Sequence, residues 1–163
     1  MIAIGVLALL FVYLLMVTIP LKKQSKPVMT EEVALKMIDD LKSAFEAEST
    51  EQVVSFAADD AVVAGKDLSQ IRDMLHQAFR LMKKPKVEFI NTRFDTEGKE
   101  KAHVTSDVSV SDLESGGTPE KKFSGQMGFS LERRPEQHLF GLVNVYRWKI
   151  VKVESSTPMP TGL

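Results

Sequence analysis

The sequence predicts an α+β fold: an N-terminal transmembrane helix, then a domain of three helices packed on an antiparallel sheet of four or more strands. Three observations lead there. Each of the 21 basic and 22 acidic side chains lies at or after Lys22, so the first stretch of chain is uncharged. From Thr30 to Met82 apolar residues recur at intervals of three and four, the repeat of a helix with one buried face. Beyond Pro85 the interval drops to two, the repeat of a strand with one face buried and one in water.

The run from Ile2 to Leu21, IAIGVLALLFVYLLMVTIPL, is interrupted only by Gly5, Thr18 and Pro20. At about 1.5 Å rise per residue, a helix of this length covers roughly the 30 Å of a bilayer's hydrocarbon core. Residues 1–21 are therefore expected to be an uncleaved anchor in contact with the lipid bilayer through residues 2–21, ended by Pro20. A cleavable signal peptide needs a basic start, a shorter apolar run and a small-x-small site, and Val17-Thr18-Ile19-Pro20 supplies no such site. Lys22, Lys23 and Lys26 follow the span, and the positive-inside bias places the domain on the cytoplasmic side. Residues 22–29, KKQSKPVM, read as a juxtamembrane linker, 30–154 as one domain and 155–163 as a flexible tail.

Each element of the domain has a local cause. In Thr30 to Ser49, Val33, Met37, Ile38, Leu41, Ala44 and Phe45 form one stripe, and Glu31 and Glu32 sit in the first turn, where the helix dipole favours them. Ser49-x-x-Gln52 has capping-box spacing and starts a shorter helix through Val53, Val54, Phe56 and Ala57, which Asp59 and Asp60 are expected to terminate. Asp67-x-x-Gln70 caps a third helix carrying Leu68, Ile71, Leu75, Ala78, Phe79 and Met82, stopped by Lys83-Lys84-Pro85.

Lys86 to Phe94 alternates imperfectly, as a strand, and Thr96 to Lys99 turns the chain. Ala102, Val104, Val108 and Val110 then alternate with His103, Thr105, Asp107, Ser109 and Ser111. After a turn at Glu114 to Pro119, Phe123, Met127, Phe129 and Leu131 share a face, with Gly125 and Gly128 marking expected bulges. Arg133 to Gln137 reads as a loop, and Leu139 to Glu154 as the last strand, with Tyr146, Trp148 and Ile150 on one face. Four strands joined by short turns make a meander.

Composition excludes several functions. A formal net charge of −1 gives no basic surface for phosphate, so nucleic acid is not an expected partner. With no cysteine there is no disulfide framework, thiolate metal site or cysteine nucleophile. No HxxxH spacing suggests zinc, and Gly65-Lys66-Asp67 lacks the glycine and the Ser/Thr of a phosphate loop, so no metal or cofactor is expected.

Phe56-Ala-Ala-Asp59-Asp60-Ala-Val62, the step to Gly65-Lys-Asp67, a helix bearing Ile71 and a last strand containing Arg147-Trp148-Lys149-Ile150-Val151 together resemble the nuclear transport factor 2-like superfamily. The resemblance spans roughly residues 30–154. It implies a cone-shaped domain whose curved sheet wraps the helices and can enclose a pocket. That superfamily holds ketosteroid isomerases, SnoaL-type cyclases, dehydratases, ligand-binding domains and non-enzymatic assembly domains. The isomerase-like members place a general-base carboxylate soon after the Asp-Asp-Ala-x-Val stretch, where this chain has Val63, Ala64 and Gly65. The resemblance thus leans away from catalysis, with no catalytic residue assigned.

Two sets of candidate site residues remain. Phe45, Phe79, Phe89, Tyr146 and Trp148 either fill the cone as core or line its pocket. His103, Thr105, Asp107, Ser109 and Ser111 form a polar strand face that is either solvated surface or a docking face for a protein partner or a second copy. His76 reads as a helix-flank residue, and His138 lies beside a loop. The expected function is a membrane-tethered, non-catalytic binding or assembly domain, an accessory subunit of a membrane complex. The resemblance offers the single-span assembly subunit of type IV secretion systems as an architectural precedent. A small-molecule binder or a lyase/isomerase using the cone pocket is the alternative. A cone filled by aromatic rings favours assembly; a deep cavity with converging polar groups and a perturbed carboxylate or histidine favours an enzyme.

Overall fold

A computed structural model of the chain describes residues 28–113, 119–138 and 143–157. The expected transmembrane segment lies outside these residues; among the described residues no helix is long and apolar enough to cross a membrane. The described chain runs α1 (Glu31–Glu46), α2 (Thr50–Ser55), β1 (Ala57–Val63), α3 (Leu68–Leu81), β2 (Pro85–Glu97), β3 (Lys101–Leu113), β4 (Pro119–His138) and β5 (Val143–Ser155).

Helix starts follow their side chains. The Thr30 hydroxyl accepts from the Val33 amide at 3.3 Å at the head of α1. Asp67 accepts from the Gln70 amide at 2.9 Å, and the Gln70 side chain accepts from the Asp67 amide at 3.1 Å, completing the capping box of α3. The matching box expected at Ser49 does not form: Ser49 makes no side-chain cap, and α2 ends at Ser55 with Phe56 as its C-cap. Glu48, with φ at 56°, reverses the chain between α1 and α2.

β2, β3, β4 and β5 pair antiparallel in sequence order, as the alternation predicts. The sheet has a fifth strand, however, and its order is β1-β5-β4-β3-β2. β1 pairs parallel with β5, so Asp59 and Asp60 do not terminate a helix; they sit exposed on an edge strand. AADDAVV has weak strand propensity and no clean alternation, because the register with β5 shifts between Ala57 and Val62. What holds it is backbone pairing: the Ile150 amide donates to the Phe56 carbonyl at 2.8 Å and the Ala64 amide to the Val153 carbonyl at 3.0 Å.

Two further expectations change. Arg133 to Gln137 is not a loop but part of β4, pairing with Asn144 to Trp148 of β5. Gly125 and Gly128 are not bulges; they pair in regular register with Val108 and Thr105. The irregularities fall elsewhere, between Ile90 and Arg93 of β2, between Val110 and Ser111 of β3, and between Ser130 and Leu131 of β4. The first explains the imperfect alternation of β2. Asn91 has φ at 54°, and the extra residue switches the inward phase, so that Phe89 and Phe94 both reach the core across an odd interval.

The inner sheet face meets α1. Val104, Leu131, Phe129 and Ile150 pack against Ala34 and Ile38, and Met29, at the end of the expected linker, is buried with them. Ser106 is the polar exception on this face; its hydroxyl donates to the Ile90 carbonyl at 3.0 Å and lies 2.9 Å from the Thr92 hydroxyl, both beside the bulge. Buried Asp112 accepts from the amides of Lys83 and Lys84 at 3.0 and 2.8 Å, fixing the α3–β2 corner.

Candidate functional site

α3 does not close onto the sheet. Of its residues only Ala78 is buried, although Leu68, Ile71, Leu75 and Phe79 lie along its apolar stripe. Between it and the inner sheet face lies a cavity of about 290 Å³. Val87, Phe89, Val108 and Phe129 form its floor, Ile71 and Leu75 part of its roof, and Leu41 and Phe45 of α1 one side. The wall is apolar except for Lys42 and Gln77. The cone is therefore neither filled with aromatic rings nor equipped with converging polar groups.

The aromatic candidates separate. Phe45 and Phe89 belong to the cavity wall. Phe79 packs edge-on against Phe45, with ring centroids 5.0 Å apart, and joins α3 to α1 at one end of the cavity. Trp148 packs against the core beside α1. Tyr146 lies under the guanidinium of Arg133, 5.6 Å from its ring centroid, and Arg133 itself is 4% exposed in its side chain and bonded to Glu100. Residues that sequence reasoning did not single out complete the wall, among them Lys42, Val53, Met74 and Met127.

The energetics of this space set what it does. The space is partly open to solvent, so water in it lies against apolar surface with two polar side chains to bond, and covering that surface is favourable by about 25 cal/mol per Å². An apolar occupant suits the wall.

Among the described lining residues Lys42 is the one side chain able to exchange a proton. No carboxylate or imidazole is among the described lining residues. Asp112 and Glu154, whose carboxyls are held below their ordinary range, lie outside the lining. For Asp112 the largest cause is the Lys84 amide, opposed by desolvation and reinforced by the Lys83 amide. For Glu154 it is the hydrogen bond from Lys152 and then that residue's charge, with a smaller contribution from His103. Among the described residues no cluster of three His, Cys, Asp or Glu side chains could hold a metal.

On the opposite sheet face, His103, Thr105, Asp107, Ser109 and Ser111 are all half-buried between β2 and β4. The Asn91 amide donates to Asp107 at 2.9 Å. His103 folds across Gly128, where a Cβ would meet its ring at 3.2 Å, and its Nδ1 lies 3.5 Å from the Ser130 hydroxyl. Glycine there lets the imidazole lie flat on the strand. His76 sits elsewhere, its Nδ1 3.3 Å from the hydroxyl of buried Thr50, tying α3 to α2. His138 ends β4. Asp60 of the resemblance motif faces Arg134 at 3.4 Å, an exposed pair beside the Arg134–Glu132 contact at 2.9 Å.

No protein-family model and no curated protein matches the sequence. Solved structures do match. A putative calcium/calmodulin-dependent protein kinase II association domain from Xanthomonas campestris is 18% identical, with a TM-score of 0.60 over 85% of this chain and 95% of that one. A putative aromatic ring hydroxylase from Novosphingobium aromaticivorans is 16% identical, with a TM-score of 0.58 over 78% and 87%. An NTF2-like protein with a cystatin-like fold from the same organism is 16% identical, with a TM-score of 0.59 over 76% and 79%. At these identities the likeness establishes the fold, which is the NTF2-like, cystatin-like α+β fold.

Proposed function

We propose that this protein is a non-catalytic binding and assembly domain, held at a membrane by residues 2–21 and acting as an accessory subunit of a membrane complex. The observation that carries the non-catalytic part is the cavity wall, which offers an apolar surface and, among the described residues, no carboxylate or imidazole. An association domain among the similar folds supports the assembly part. The uncharged run before Lys22 supports the tether, and a tether raises a module's effective concentration near a membrane partner. The polar face of β3 supplies hydroxyl and carboxylate groups for docking.

Crosslinking in native membranes, followed by identification of the attached chains, tests the assembly role. The expected result is a crosslinked partner or dimer that Thr105→Arg abolishes. Recovery of free monomer alone, or a crosslink indifferent to that substitution, refutes docking at this face. Carbonate extraction tests the tether, which predicts retention in the membrane fraction, and protease protection in intact cells tests the cytoplasmic placement.

The cavity favours a second reading, a small-molecule binder that holds an apolar ligand without transforming it. Its volume of about 290 Å³ is at the lower edge of the ~300–1,000 Å³ typical of ligand pockets.

A further inference from the structure

We propose that the cavity takes a single-chain anionic amphiphile, its hydrocarbon chain between α3 and the sheet and its acidic head at Lys42. This rests on the small-molecule reading above and names the ligand's class. Lys42 is the one charged side chain among the described lining residues. It is half-buried, flanked in the wall by Leu41 and by Phe45 one turn further on. Lys36, on the same helix, is held by both oxygens of Asp40, at 2.9 and 2.7 Å. Among the described residues Lys42 has no such carboxylate within the 4.0 Å of an ion pair.

A half-buried lysine at the edge of an apolar space, with no carboxylate among the described residues in ion-pair range, is where a carboxylate or phosphate gains most, because water there screens it less. Gln77 adds an amide to the same wall. The rest of the wall suits a chain that has no shape of its own: Met74, Met82 and Met127 are flexible thioethers that adapt to what they contact. The volume admits one medium-length chain and not the two chains of a phospholipid.

A competing occupant is the chain's own C-terminal segment. The Thr157 hydroxyl lies where a Cβ on Gly125 would meet it at 2.7 Å, beside Phe123, which lines the cavity, so the described chain reaches the cavity's edge at Thr157. That segment offers Met159 and Leu163 but no acidic side chain for Lys42.

The test uses the full chain in nanodiscs at pH 7.5, with a photoreactive decanoic acid bearing a diazirine near its methyl end. Labelled peptides are located by mass spectrometry, with decanoate and 1-decanol as competitors. The two competitors partition differently into the bilayer, so they are compared at equal bilayer concentration, and what remains is common to wild type and variants. The expected result is labelling of peptides containing Met74 or Met127, with decanoate displacing the probe at about one-tenth the concentration of decanol, the ratio of one charge-assisted hydrogen bond. Lys42→Gln should erase that ratio, and Lys42→Arg should restore it with circular dichroism unchanged in both.

Equal displacement by the two competitors in wild type, or a ratio untouched by Lys42→Gln, overturns the anionic class while the small-molecule reading stands. Absence of labelling on the cavity wall overturns both. Deletion of residues 158–163 should leave labelling within twofold; a rise of tenfold or more makes the tail the occupant and overturns the proposal.

Discussion

Replacing Val110 by Phe probes the cavity from its most rigid side. Val110 lines it from β3, an interior strand, where an aromatic side chain keeps the strand propensity of the residue it replaces. The substitution adds four carbons, each contributing roughly 0.8 kcal/mol if fully withdrawn from water. With about half of the new surface still facing the cavity and a small rotamer cost, the net gain is about 1 kcal/mol. For a domain of this size that raises the midpoint of thermal unfolding by roughly 3–5 °C. Urea titration of the full chain in detergent gives the free energy and the slope together. A loss of 1 kcal/mol or more at unchanged slope would mean the ring had struck packed side chains, and the description of an open apolar space between α3 and the sheet would be wrong.

Leu131→Ala removes a side chain 1% exposed at the centre of β4 and should cost about 3 kcal/mol by the same titration, in contrast to the gain at Val110. Asp112 has a folded-state carboxyl held below its ordinary 3.8, so its contribution is complete above that value and is lost as pH falls through the lower folded value. Asp112→Asn should therefore lower stability at pH 7 and flatten the acid limb of a stability profile measured below about pH 4. Gly128→Ala should push the His103 ring off the strand, seen as displaced imidazole resonances with the cavity-side residues unmoved, since the Cβ would lie 3.2 Å from the ring.

The residues differ in how plainly they announced their places. Strong periodicity sufficed for α1, α3 and the four-strand meander, because each of these buries one face and the burial writes itself into the spacing. β1 was illegible: Asp59 and Asp60 look like a helix stop, and the reason they lie in a strand is a parallel partner about ninety residues away, which no local window contains. The bulge at Asn91 was visible only as spoiled alternation in β2. The cavity was legible as an expectation of the resemblance and not in its content. An apolar residue that packs and one that faces a void have the same letter, so Ile71 and Leu75 gave no sign of which they were.

The pairing of β1 with β5 has a consequence for biogenesis. Ile150 and Val153 supply the backbone partners of Phe56 and Ala64, so the early segment has no sheet to join until nearly the whole chain has left the ribosome. Until then β1 stays unpaired, on a polypeptide whose leading end has already been synthesised as hydrocarbon-like sequence. Premature termination before residue 150 would release a fragment lacking the closing strand, one that presents sticky surface and invites chaperones and proteases in place of assembly.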